Sequence, residues 1–307
     1  MKRKENDREQ KKLSSPYVLA WRRLKKNKLA CIGLVFLVFV ILLCLIGPMV
    51  SPYSDLTGTN MEAVRQPPSR SHWLGTDTNG RDIFTRLLYG GRISLMIGMV
   101  STLLSILTGT FLGCVAGYYG GKTDMVIMRI VDIMLSLPTM PILIMISAMM
   151  SDWRIKTSAR IYVMMLILAG LSWAGVCRFI RGQVLSIRTM EYMTAAEALG
   201  IGDMRKIIKH MIPNVIPMMI VLATLSIGDM IIMESTMSFL GVGVLPPQAS
   251  WGQMVSEGTN LMVFQLRPWI WMPAGFAILL TVLAVNLVGD GLRDALDPKG
   301  GTGNGFS

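Results

Sequence analysis

A helix rises about 1.5 Å per residue, so an unbroken run of roughly 20 apolar residues can cross a hydrocarbon layer about 30 Å thick. This sequence has six such stretches: Leu29–Val50, Ile93–Tyr118, Met125–Met150, Ile161–Ile180, Val215–Leu240 and Trp269–Val288. That count constrains the fold more than any other feature, and the expectation is an all-α integral membrane protein. Composition agrees, since only 16% of the 307 residues are charged and 52% are hydrophobic, against about a quarter charged in soluble domains. The formal net charge of +11 could suggest a phosphate-rich partner. Its location argues otherwise, because residues 1–28 hold 11 Lys and Arg against three acids. A soluble nucleic-acid binder is excluded. The first stretch also competes with a cleaved signal peptide, whose apolar region runs about 7–15 residues. With no charge between Lys28 and Asp55 and no small-residue cleavage pattern behind it, it reads as an uncleaved span.

Basic residues favour the cytoplasmic side of a membrane. With the N-terminus inside, segments 1–28, 119–124, 178–213 and 289–307 face the cytoplasm and carry 20 Lys and Arg, whereas 51–92, 151–160 and 241–268 carry nine. Both termini are therefore expected inside. The chain divides into a basic tail (1–28), a first span with its outer loop (29–92), a five-helix core (93–290) holding an inner loop at 181–213, and a C-terminal tail (291–307). Cys31, Cys44, Cys114 and Cys177 lie in or beside apolar spans without a C-x-x-C pair. They read as small buried hydrophobes rather than disulfide partners, and no metal site is expected. His72 and His210 fall on opposite sides of the membrane. The sequence has no phosphate-binding G-x-x-x-x-G-K-[ST], no H-E-x-x-H and no G-x-S-x-G, so no catalytic residues are expected.

The inner loop is too apolar for a solvated linker. Glu191 to Leu199 is rich in helix formers and Gly200 suits the residue after a helix end. Asp203 offers an N-cap for a second short helix, with Pro213 limiting its end. Ile207, Ile208, Met211 and Ile212 recur at helical spacing while Arg205, Lys206 and Lys209 stay polar. The residues alone leave two readings open: a hairpin lying on lipid or an element that docks a protein.

Thr194-Ala195-Ala196-x-x-x-Gly200, with Pro213 thirteen residues after the glycine, resembles the E-A-A-x-x-x-G loop of ABC-importer permeases. Three further stretches resemble the C-type permease of the dipeptide/oligopeptide branch. They are Leu74–Asp82 with Gly91–Leu95, Glu234–Gly243 followed by Pro246-Pro247 and Ser250–Gly252, and Asn286–Pro298. The basic-then-apolar segment Trp21 to Ile32 is similar to that branch's N-terminal module, so the likeness runs from about residue 17 to 299. It implies a type I ABC-importer permease fold with six spans in a bacterial or archaeal cytoplasmic membrane. It also implies partners: a homologous second permease, two cytoplasmic ATPases that bind ATP and Mg, and an extracytoplasmic peptide-binding protein. No cofactor is expected in this chain. The loop then becomes the ATPase-coupling element, with Thr194, Ala195, Ala196, Glu197, Leu199, Gly200 and Arg205 as its residues. Ala195 and Ala196 would allow close approach, and Gly200 would set the turn. Thr194 replaces the family's usual Glu, and His210 replaces an aliphatic residue. The resemblance leaves cargo open among dipeptides, oligopeptides, glutathione and nickel chelates.

Ionisable groups inside spans usually face a cavity or a partner. Asp229 and Glu234 are five residues apart, about 140° around a helix, so they cannot share one narrow path. Glu234 is expected to brace the outer end of the fifth span, with Gly241, Gly243 and Pro213 as structural or gating positions. Asp229 leaves two readings open, a place on the translocation path along with Met233 and Met237 or a hydrogen bond to a neighbouring helix through Ser226 or an adjacent span. The 26 methionines otherwise read as packing. Asp132 is expected to pair with Arg129 at i−3. Asp77 and Asp82 with Arg81, Arg86 and Arg92 are expected to form a salt-bridged outer cap or a docking surface. The rival class is a secondary transporter, which would need intramembrane coupling-ion sites, often in inverted repeats.

Overall fold

A computed structural model describes residues 21–53 and 60–296; the remainder of the basic tail (1–20) and most of the C-terminal tail (297–307) lie outside the described residues. Among the described residues, five helices are long and apolar enough to span: α1 (Lys28–Val50), α2 (Ile83–Tyr119), α5 (Thr157–Arg188), α8 (Ile212–Phe239) and α11 (Met272–Leu296). The sixth crossing is not one helix. Where a single span was expected over Met125–Met150, α3 (Gly121–Ser136) and α4 (Thr139–Asp152) meet at 82°. Pro138 accounts for the break: it lacks an N–H, and its ring forces Leu137 out of the helical region to ψ 134°. The inner loop forms α6 (Glu191–Ala198) and α7 (Asp203–Lys206), and the last outer loop holds the short α9 (Trp251–Ser256) and α10 (Leu261–Leu266).

Helix ends follow local chemistry rather than the limits of the apolar runs. α2 begins ten residues before the expected Ile93, because Asp82 caps it by accepting the Thr85 N–H at 2.8 Å. α1 starts where Asn27 accepts the Ala30 N–H at 3.2 Å. Inside α1, Pro48 leaves the Cys44 carbonyl without its helical donor, and Arg92 Nε donates to that oxygen at 2.7 Å. Arg92 is thereby removed from the expected outer salt-bridge cluster.

Lipid tails are as apolar as leucine, so helices in a bilayer associate through close packing more than through hydrophobic burial. α2 lies along α5 on a row of small residues. A Cβ at Gly109 would stand 2.6 Å from the Val176 Cβ, and one at Gly113 would stand 2.7 Å from the Cys177 carbonyl oxygen. α8 crosses the outer half of α2, with Ile231 filling the notch at Gly98. Cys44, Cys114 and Cys177 are buried as small apolar groups.

The two ends of the bundle are sealed differently. At the inner end Leu24 and Ala30 pack on Gly291 and Ala295 of α11. At the outer end buried Asp77 receives Arg81 at 2.7 Å and Arg86 at 2.5 Å, and Arg86 reaches Glu257 at 2.6 Å and Gln253 at 2.7 Å. This knot joins the first outer loop, the start of α2 and the last outer loop. Asp82 belongs to the helix cap and to His72, 3.0 Å away.

Candidate coupling site and polar groups of the spans

The inner loop is a helical hairpin seated on the bundle. On α6, Met193 and Ala196 face inward and are buried, and Met193 joins a cluster with Cys114 of α2, Ile180 and Val184 of α5, and Ile207 and Met211. Tyr192, Thr194, Ala195, Glu197 and Gly200 are exposed, and Leu199 is 79% exposed. The expectation that both alanines meet a partner is corrected: Ala196 supports the hairpin from within, and only Ala195 is presented outward. Gly200 adopts φ +69°, with its N–H on the Glu197 carbonyl and the Ile201 N–H on the Ala196 carbonyl. This is the Schellman arrangement that glycine allows without a Cβ penalty.

The second helix departs from expectation at both ends. Gly202, not Asp203, occupies its N-cap, and Asp203 sits in the first turn. Pro213 does not end the helix. A single π-turn over Ile207–Met211, in which the Ile212 N–H bonds the Ile207 carbonyl, carries the chain into α8, and Pro213 takes an early position that needs no N–H. Asp203 to Phe239 is thus one continuous rod. Arg205 and Lys209 are exposed beside Met204 and Ile208, giving the hairpin's outer surface an apolar centre with a basic margin. His210 lies partly buried in the π-turn, and its carbonyl accepts Asn214 Nδ2 at 2.6 Å.

Glu234 is fully buried where α8 meets α2 and α9. Ser94 donates to its Oε2 at 2.9 Å and Ser238 to its Oε1 at 2.7 Å. Gly241 (φ +78°) then turns the chain in a second Schellman arrangement, with the Val242 N–H on the Met237 carbonyl. A Cβ on Gly243 would fall 2.2 Å from Ser238 Oγ, so the returning backbone is pressed against the Glu234 node. Ser147 of α4 closes the turn by donating to the Val242 carbonyl at 2.5 Å.

The three residues assigned to a path separate. Asp229 is exposed on a face of α8 shared with Met218 and Ile232, and Met233 is half-buried beside it. Met237 is buried among Ile97, Leu143 and Met164, so the fold withdraws it from any open path. Asp132 pairs with Arg178 of α5 rather than with Arg129, and Asp124 binds Arg181 through two bonds of 2.9 and 2.5 Å. Sequence spacing found the local partner; helix packing supplied the distant one. The small-residue row of α2 and the Ser94–Glu234 contact were also missed, although Gly109, Gly113 and Gly117 recur every four residues and mark that face.

Residues 109–300 match the family described as binding-protein-dependent transport system inner membrane component. Residues 15–68 match the N-terminal transmembrane domain of oligopeptide transport permease C. The chain is 42% identical over 284 residues to the dipeptide transport system permease protein DppC of Bacillus subtilis, covering 91% of this chain and 85% of that protein. It is 38% identical over 293 residues to the oligopeptide transport system permease protein OppC of the same organism, covering 94% and 92%. To the OppC protein of Haemophilus influenzae it is 37% identical over 281 residues, covering 91% and 88%.

Proposed function

The chain belongs to the inner-membrane components of binding-protein-dependent transport systems, as a multi-pass, non-catalytic permease subunit of an ABC importer, and from that premise we propose that its cargo is a dipeptide or oligopeptide. The similarity to dipeptide and oligopeptide permeases along at least 91% of the chain supports this cargo. The assembly we infer pairs this subunit with a homologous permease, two ATPases that hold ATP and Mg, and an extracytoplasmic peptide-binding protein. The outward surface of α6 supports the docking assignment: Ala195 allows close approach, Leu199 offers an apolar contact, and Gly200 fixes the turn. Closure of the ATPases pushes on this hairpin and biases the bundle between inward-open and outward-open states. Asp229, with Met233, lies on the α8 face that lines the passage between the two permeases.

Reconstitution tests the reading. Proteoliposomes holding both permeases and both ATPases should take up a labelled di- to pentapeptide pool only with ATP and the binding protein. Uptake without the ATPases, driven by an ion gradient, would make the chain a secondary transporter. ATP-dependent uptake of nickel chelates or glutathione, with none of peptide, would keep the importer and reject the peptide cargo.

A further inference from the structure

The hairpin is joined to α8 by covalent helix and shares an apolar cluster with Cys114 of α2; its polar tie to α2 is made of three side chains. Tyr118, one residue before the inner end of α2, donates its phenol hydroxyl to Asp203 Oδ1 at 2.6 Å. Lys206 Nζ stands 3.1 Å from the same oxygen and lies over the Tyr118 ring, 5.3 Å from its centroid. Each group therefore touches the other two. Lys206 is only 5% exposed, which holds its charge against this ring and carboxylate, while Asp203 keeps half of its side chain in solvent. The triangle borders a small polar cleft of about 230 Å³ also lined by Arg188 and by Met193 and Glu197 of α6.

We propose that Tyr118, Asp203 and Lys206 form a clamp that carries movement of the coupling hairpin into α2 as well as α8. An apolar contact alone transmits a push but resists sliding weakly, because it is non-directional. A short hydrogen bond to a carboxylate and a cation held over a ring are directional and strengthen one another in a partly dehydrated setting. With the clamp closed, the hairpin, the inner end of α2 and the rod from Asp203 to Phe239 move as one body. α2 and α8 meet again at the outer end through Ser94 and Glu234, so a displacement at the hairpin reaches that node by two routes. With the clamp open, α2 keeps only the apolar contact around Cys114, its route is weakened, and hydrolysis proceeds with less work done on the bundle. Tyr118 is thus a positioning residue for coupling, an inference that rests on the docking role proposed for the hairpin.

The test measures peptide taken up per ATP hydrolysed in proteoliposomes of the complete complex, using the same labelled peptide pool. Tyr118→Phe, which keeps the ring and removes the hydroxyl, should lower this ratio about fivefold, the scale of one ordinary, partly solvated hydrogen bond. The ATPases should remain bound and active. Lys206→Met should act in the same direction, and the double variant should be no worse than the poorer single one, because both remove one clamp. An unchanged ratio in both single variants, or a parallel fall in hydrolysis and uptake, overturns the clamp. Ala195→Trp in the same assay separates the two ideas. If it uncouples while Tyr118→Phe does not, the clamp fails and docking stands; if it changes nothing, the docking reading fails and takes the clamp with it.

Discussion

Adjacent residues on an α-helix stand about 100° apart, enough for Ala195 and Ala196 to meet different surroundings, and the fold assigns them different duties. Ala196 is buried against the bundle and Ala195 faces out. Ala196→Trp is expected to overpack the hairpin and destabilise the purified subunit by about 1–3 kcal/mol, read as a lower thermal unfolding midpoint. Ala195→Trp should leave that midpoint in place and instead reduce the ATPase that co-purifies with the complex. Equal effects of the two substitutions on both measurements would contradict the assignment. Glu234 gives a second contrast. Glu234→Ala removes the acceptor from Ser94 and Ser238 and opens a void, a loss of about 2–4 kcal/mol. Glu234→Gln keeps an acceptor and the volume, and should lose about 1 kcal/mol, so thermal unfolding should rank wild type, Gln, Ala. An acid in an apolar run was legible as a special position from sequence alone. Its serine partners were not, because Ser94 lies 140 residues away on another helix and no local spacing announces it. The same holds for Met237, whose helical phase relative to Asp229 was fixed while the neighbour that covers it was not.

Among the elements, α2 and α5 show how a bilayer changes the rules of packing. With no solvent to drive them together, the two helices rely on backbone approach across Gly109, Gly113 and Gly117. Gly113→Val should force them apart, losing about 1–3 kcal/mol and lowering the yield of folded subunit in the membrane. Gly182 on the exposed side of α5 has nothing within 4 Å of an added Cβ. Gly182→Ala should therefore be neutral or stabilise by about 0.5–1 kcal/mol through backbone entropy, and a loss as large as that of Gly113→Val would overturn the packing argument. Where apolar runs were long and unbroken, helix existence was legible from length alone. The break inside the third span was not legible from mean hydropathy, which runs smoothly across Leu137-Pro138, although the proline itself carried the signal. Pro213 misled in the opposite direction. A proline normally ends the helix before it, but one π-turn shifts the bonding register and lets the rod continue.

For the whole molecule, the unequal distribution of basic residues sets the orientation, and the two ends of the bundle are closed by different contacts. The inner end gathers Leu24, Gly291, Ala295 and the hairpin, while the outer end gathers Asp77, Arg86, Gln253 and Glu257. Six crossings connect them only if the bent α3–α4 pair counts as one. The +8 carried by residues 1–28 therefore acts as an anchor that fixes the start of α1 inside. Charge counts made this legible without any structure, whereas the exposed apolar faces of α6 and α8 gain meaning only beside other subunits. Cysteine labelling joins the two levels. Cys44, Cys114 and Cys177 are buried, so replacing half-exposed Cys31 by serine leaves a quiet background. In that background a membrane-impermeant maleimide applied to intact cells should modify a Met61→Cys variant, whose position is 82% exposed on the outer loop, and spare a Leu199→Cys variant. After permeabilisation Leu199→Cys should react when the permeases are expressed alone and become protected once the ATPases assemble. Labelling of Leu199→Cys from outside would invert the topology. Labelling that persists unchanged in the full complex would move the docking surface away from α6, because a side chain 79% exposed in the single subunit can lose its reactivity on assembly only if a partner covers it.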